Sequence, residues 1–546
     1  MRIDESLYKT FLEEMDALDT FRVSYKSLHP GAPLDREDPD VRRLIEAMAL
    51  LSARTRLAGL RYNTTTRRRI FQQFFPYLLT PLPSMAVLQA VPTGMLADTA
   101  SYPKGSEMVL IPESGGTAIF QTLKTLNILP VVLDDFTTRQ LPGAGTRLTL
   151  KVKARFARND KIGQVSFFIN HLNDYETSQT IHSSLKKHIR RASVVFDEKA
   201  DEASAGTPCD IFFGMAQEDA DVSHPLEKER LFFHFPWQDL FINIEVPQPA
   251  KSWTSFTLCL DLDANWPANL VLTQDLFNLF AVPIVNMRHD MARPVIYDGT
   301  RESCGIHHPD VENGFELHSV QGVFEVTKAG MVPIDPGILF VSAPSWESED
   351  ITGDDGRKHH YLNLHYPKAF HDPKTISINA RWSQPWFSNT ISERLNAEPY
   401  SRGTVGLNWK LVVEPIPHAE TSLQDNLDVF LRFLTLTNRA ELSCNDLKDI
   451  LQALGIKQQN RFGQILSLLA DVRIETSVRQ EEGAGNVKYV YLLRFYEYDS
   501  GLDGLVALFL AHVEAILDAW IAGVGIEVRK VTVDEGYSET TQGTQP

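Results

Sequence analysis

The side chains best placed for chemistry fall into a few groups. Phe256, Leu258, Leu260 and Leu262 alternate with Thr257, Cys259, Asp261 and Asp263. That alternation predicts a half-buried strand, on which residues two apart share a face. Asp261 and Asp263 would then present paired carboxylates, as a two-metal or glycosidase site requires. A solvated strand face opposite the leucines explains the same pattern without chemistry. Asp134 and Asp135 are adjacent, so on a strand they point apart.

Cys304, His307 and His308 place a thiol beside two imidazoles, and His359, His360, His365, His371 and Asp372 form a second neighbourhood. Zinc needs three or four converging ligands, usually from paired short spacings. Neither cluster has a second pair, so these read as loop histidines, with no metal site expected. No Gly-rich phosphate loop occurs, and the Gly143-Ala144-Gly145 fragment reads as a turn before the strand at Arg147. Ser114 is the nearest approach to a nucleophile elbow, which is otherwise missing. Two basic clusters, Arg67 to Arg69 and Lys186 to Arg191, suit docking onto acidic protein surfaces. No catalytic constellation emerges, so the chain reads as a non-enzyme without a cofactor.

The elements that carry these residues change character along the 546 positions. Leu7, Phe11, Met15, Leu18 and Phe21 recur at helical spacing. A second helix opens at the Asp38 cap with Pro39 in its first turn, and lines up Val41, Leu44, Ile45, Met48 and Leu51. A third is expected from about Thr66 to Pro76. From Met85 to about Glu420 the period falls to two, in segments such as Arg147–Lys153, Val165–Ile169, Ile211–Phe213 and Ile376–Ile378. Helical stripes return at Leu427–Leu434 and Leu447–Leu454. Then come a hairpin over Val472–Phe495, a helix over about Leu502–Ile521 and a strand at Ile526–Val533. The expected fold is α+β: a helical N-terminal assembly region (1–84), two strand-rich, antiparallel or sandwich-like domains (85–250 and 251–420), an α+β C-terminal domain (421–533) and a disordered tail (534–546).

Composition narrows the partners. Seventy acidic side chains against 53 Lys and Arg leave a net charge of −17, a field that repels nucleic acid and anionic lipid. The four cysteines lie far apart, which suits a reducing compartment. The N-terminus lacks a secretory apolar stretch, and the apolar run Gly504–Val513 is soon followed by Glu514 and Asp518. A cytoplasmic protein without membrane insertion is expected.

Several segments resemble the TssF (VasA/ImpG) family of type VI secretion baseplate subunits. They are the N-terminal helix, the run Asp38-Pro39-Asp40-Val41-Arg42-Arg43-Leu44-Ile45 through Arg54, and Phe75-Pro76-Tyr77-Leu78-Leu79-Thr80-Pro81-Leu82-Pro83-Ser84-Met85. Leu279–Asn286, Phe315–Val320 and Leu502–Val533 follow in the family's order. Cys304–His308 and Trp382-Ser383-Gln384-Pro385-Trp386 depart from its pattern. The resemblance implies a structural wedge component in which two copies join one TssG-like subunit, with TssK, TssE and the sheath as further neighbours. On that reading Leu7, Phe11, Met15, Leu18, Val41, Leu44, Ile45, Met48 and Leu51 are candidate partner-interface residues. The alternatives are a β-sandwich enzyme or carbohydrate-binding protein, and a contractile-phage-like tail wedge component outside secretion.

Overall fold

The computed structural model describes residues 5–31, 38–141, 145–201, 204–215, 224–267, 270–301, 303–337, 343–352, 358–401, 403–421, 423, 427–437, 439–456, 461–481, 484–521 and 524–531. The tail expected at 534–546 lies outside them, as does the Gly143-Ala144 part of the turn before Arg147. The helices are α1 (Glu5–Leu28), α2 (Pro39–Phe74), α3 (Pro76–Leu79), α4 (Tyr175–His188), α5 (Pro225–His234), α6 (Leu427–Leu436), α7 (Cys444–Ala453), α8 (Arg461–Leu468) and α9 (Asp503–Trp520). The strands begin with β1 (Met85–Pro92), β2 (Ala100–Tyr102), β3 (Glu107–Pro112), β4 (Ala118–Thr122), β5 (Leu126–Ile128), β6 (Val131–Gln140), β7 (Thr146–Arg158), β8 (Gly163–Ile169), β9 (Ile189–Phe196), β10 (Thr207–Phe213), β11 (Phe241–Val246), β12 (Trp253–Leu262), β13 (Phe277–Leu279) and β14 (Ala281–Val285). They continue with β15 (Arg288–Met291), β16 (Val295–Tyr297), β17 (Ser303–Gly305), β18 (Glu316–Thr327), β19 (Gly330–Pro336), β20 (Ser345–Thr352), β21 (Lys358–His365), β22 (Lys374–Ser383), β23 (Leu395–Pro399), β24 (Leu407–Ile416), β25 (Leu469–Glu481), β26 (Ala484–Phe495) and β27 (Gly525–Val531).

Two compact units result. One comprises residues 1–79 with 423–439, and the other holds the rest of the chain. In the first, α1 and α2 pair and α2 also packs on α6, where Phe71 stacks on Phe430 with ring centroids 4.5 Å apart. Asp38 caps α2 by accepting from the Asp40 amide, with Pro39 behind it, as the sequence predicts. The expected third helix is not separate. The segment from Arg54 to Thr66 carries no proline and a single glycine, Gly59, so nothing interrupts the hydrogen-bond ladder and α2 runs through all 36 residues.

In the second unit, a six-stranded sheet in the order β23-β3-β4-β14-β1-β24 is the trunk. β1 is buried on both faces. Ala86 and Leu88 join one core with Phe120, Leu150 and Phe256, while Met85 and Val87 join another with Phe168, Phe241 and Val413. Burial on both sides is why Met-Ala-Val-Leu reads as a continuous apolar run rather than an alternating one.

The chain leaves this trunk twice. β6 to β13 build an eight-stranded sheet in the order β13-β8-β11-β10-β9-β12-β7-β6. The division expected at residue 250 falls between β11 and β12, which both belong to that sheet. β15 to β22 form a second insertion with its own core around Val323, Ile376, Ile378 and Trp382. The middle is more helical than its period-two pattern suggests. α4 and α5 start at the Asp174 and His224 caps and bury Leu185 and Phe233. At the C-terminal end, α9 is long and apolar enough to cross a membrane by composition alone. In the fold it packs against α4, α5, α8 and β27, and its Phe509, Val513, Ile516 and Leu517 are fully buried.

Candidate assembly interface

Asp261 lies on β12 and Asp263 one residue beyond its end, and both are committed to ion pairs within the chain. Asp261 accepts from Arg147 Nε at 2.6 Å and Nη2 at 3.0 Å, while Arg147 Nη1 donates to the carbonyls of Asp201 and Ser204. The Arg147 side chain is 5% exposed, and its charge is matched by Asp261 with four of its five N–H donors hydrogen-bonded inside the protein. Asp263 accepts from His188 Nδ1 at 2.7 Å and Arg190 Nη2 at 2.6 Å. The His188 hydrogen bond, followed by that from Arg190, holds its carboxyl below the usual range. Every oxygen of the two carboxylates accepts at least one hydrogen bond, most of them from Arg147, His188 and Arg190.

The thiol and imidazoles also have separate settings. Burial raises the Cys304 thiol. His308 Nδ1 accepts from the Asp310 amide, with its ring 4.2 Å from that of Phe315 and 4.9 Å from that of Trp382. Along β21, His360 bonds Asp350 at 2.7 Å, and by strand alternation His359 and His365 lie on the opposite face. Among the described residues no three potential ligands converge. Of the basic clusters, Arg190 is taken up by Asp263, and Arg191 donates to the Ala205 carbonyl.

The α1–α2 pair is a different kind of site. At 1.5 Å per residue, 24 and 36 residues give rods of about 36 and 54 Å. Ser52 Oγ donates to Glu14 at 2.8 Å, and Arg56 Nη1 reaches Glu14 at 3.1 Å and Glu13 at 3.4 Å. The Ser52 and then the Arg56 hydrogen bond hold the Glu14 carboxyl below its ordinary value. Those contacts match the middle of α1 to the middle of α2. A parallel pairing would then ask the 29–38 connection to span more than its extended reach, so the helices are antiparallel.

The nine candidate interface residues divide. Leu7, Phe11, Met15, Leu18, Val41 and Ile45 are half-buried, and Ala49 and Ala53, fully buried, continue the line of Val41 and Ile45 along α2. Small residues at that line let the helices approach closely. Leu44, Met48 and Leu51 lie about a third of the way round the helix from it, and are 60%, 52% and 67% exposed. The sequence treated both sets as one stripe. Tyr8 and Leu12, also exposed, escaped that reading altogether. Each follows a stripe residue, Leu7 and Phe11, and the doubled stripe is the signal of an apolar arc wider than one helix can cover.

Leu44, Met48 and Leu51 are therefore exposed apolar side chains on α2. The family model described as "Type VI secretion system, TssF" matches residues 31–337. The chain belongs to the TssF family. Likeness of fold to solved structures extends beyond the matched segment. A chain of a TssK-TssF-TssG baseplate subcomplex from the type VI secretion system, solved by cryo-electron microscopy, superposes with a TM-score of 0.72 at 17% identity, over 93% of this chain and 100% of that one. A chain of a type VI secretion baseplate complex gives 0.56 at 15% identity, over 94% and 93%. No curated protein sequence matches.

Proposed function

We propose that this TssF-family chain is a non-enzymatic, cytoplasmic subunit of a type VI secretion baseplate wedge. Its α1–α2 hairpin joins a TssG-like subunit and a second copy of the chain, and TssK, TssE and the sheath are its further neighbours. The observation that carries the reading is the exposed Leu44, Met48 and Leu51 line on α2, set apart from the line of Ala49 and Ala53 that is already buried. The TssK-TssF-TssG composition of the solved subcomplex supports the same partners. Pairing of Asp261 and Asp263 with Arg147, His188 and Arg190 supports this reading over the enzyme or glycan-binding alternative. Native mass spectrometry of the chain co-expressed with the TssG-like subunit of its own gene cluster tests the proposal. A complex with two copies of this chain is expected, and free monomers of each would overturn it.

A further inference from the structure

The second insertion, β15 to β22, leaves the six-stranded trunk at Asn286 and returns at Gln384, and these two residues are bonded to each other. The Gln384 amide N–H donates to Asn286 Oδ1 at 2.7 Å, and Asn286 Nδ2 donates to Gln384 Oε1 at 3.2 Å. Both side chains also grip the trunk. Asn286 Nδ2 donates to the Ile119 carbonyl at 2.9 Å, and Gln384 Oε1 accepts the Ile119 amide at 2.7 Å. Gln384 Nε2 then joins the two bodies. It donates to Thr117 O beside β4 at 3.0 Å and to Asn313 O in the insertion at 2.8 Å. Gln384 and Asn286 are 1% and 2% exposed, and every donor and acceptor of the Gln384 side chain is used.

Trp386, two residues on, closes the same seam. Its Nε1 donates to Asn313 O at 2.9 Å. Its ring lies between Gly116 at φ +93° and Gly314 at φ +63°, one from the trunk and one from the insertion. A Cβ at those glycines would come within 2.9 and 2.8 Å of the indole, so both backbones approach it as only glycine allows. An ion pair crosses the seam, Arg288 with Glu107 at 3.1 Å, and Arg381 ties the insertion to α5 through Glu227 at 3.0 Å.

We propose that Asn286 and Gln384 form a clasp across the entry and exit of the insertion, making it and the trunk one rigid arm held at a single angle. Buried amides whose partners come from two bodies are satisfied only in one relative placement, so a swing would strand several of them at once. Gln384 is a positioning residue. The arm it holds presents the outward side of the inserted sheet, where the register aligns Ile296, Thr375, Val326 and Met331 across four strands, all exposed.

The test places spin labels at Met95 and Ile296 through a non-canonical amino acid, which avoids the four native cysteines. One narrow distance distribution is expected for the wild-type arm. It should broaden in Gln384→Ala and in Trp386→Phe at temperatures where circular dichroism still reports a folded protein. An unchanged width in folded variants would overturn the clasp. Native-state hydrogen exchange on the unmodified protein gives an answer even if neither variant folds. The Ile119 and Gln384 amides should open in one event with equal protection, and protections differing by on the order of tenfold or more would refute the coupling.

Discussion

Replacing Leu44, Met48 and Leu51 together with Asp separates the two faces of the α1–α2 hairpin. The three side chains are 60%, 52% and 67% exposed, so they contribute little to the isolated fold. Fully burying a Leu or Met side chain is worth roughly 1.5–3 kcal/mol, and the exposed share of these three therefore offers roughly 3–5 kcal/mol to a partner. Losing it weakens binding by a factor of about 10² to 10⁴, before the cost of desolvating three carboxylates. The assay is titration of the TssG-like subunit against wild-type and triple-variant chain, with thermal unfolding alongside. The expected result is a melting temperature within a few degrees of wild type and a loss of measurable complex. A folded triple variant that binds as tightly as wild type would refute the assignment of this line to the interface. Ala49→Asp makes the contrast, because Ala49 is fully buried. It should unfold the hairpin and so lower stability and binding together.

Other outcomes follow from the same structure. Asp261→Ala leaves the buried Arg147 guanidinium without its carboxylate and should cost about 3 kcal/mol or more in chemical denaturation. Arg147→Met with Asp261→Leu should recover much of that, with bound metal by elemental analysis unchanged throughout. His318 is enclosed, donates Nε2–H to Pro81 O at 3.1 Å and accepts from Ser319 Oγ at Nδ1. Burial first, then the charges of Arg381, Arg230 and His418, push its pKa well below the ordinary value, with Glu227 facing the group through Arg381. The unfolded chain therefore takes up the proton first as pH falls below about 6.5. Stability should decline from that point downward, and His318→Asn should flatten the decline in a plot of melting temperature against pH. Ser443→Ala breaks the reciprocal cap in which Ser443 Oγ accepts the Asp446 amide and Asp446 accepts the Ser443 amide. A loss of about 1 kcal/mol is expected by urea titration.

Legibility in the sequence followed how local the cause was. The start of α2, the Leu148–Val152 and Phe256–Leu262 strands, the β25–β26 hairpin and α9 were readable because capping and periodicity act within a few residues. The second unit's nesting was not, since Met85 pairs with both Val285 and Ile416 and nothing near Met85 encodes either partner. The same holds for the carboxylates. Spacing put Asp261 and Asp263 on one strand, whereas β12 ends at Leu262, and their partners Arg147 and His188 come from β7 and α4, which only tertiary structure reveals. At the hairpin, a nine-residue stripe could not be split into inner and outer sets until Glu14 was seen against Ser52 and Arg56. In the Trp382–Trp386 segment the sequence offered no chemistry, whereas the structure places Gln384 and Trp386 in a buried polar network between the insertion and the trunk.

The two excursions from the trunk sheet also set the order of events at the ribosome. β1, apolar on both faces, emerges with no strand to pair with until β14, roughly 200 residues and 10–40 s of synthesis later. Its other neighbour, β24, arrives only after the whole second insertion. α2 likewise waits for α6, whose Phe430 and Phe433 cover Phe71. A nascent chain thus carries an open, hydrophobic strand through most of its translation, which is the condition under which edges aggregate. The yield of soluble protein should depend on translation rate and on chaperone supply well before any partner subunit is met.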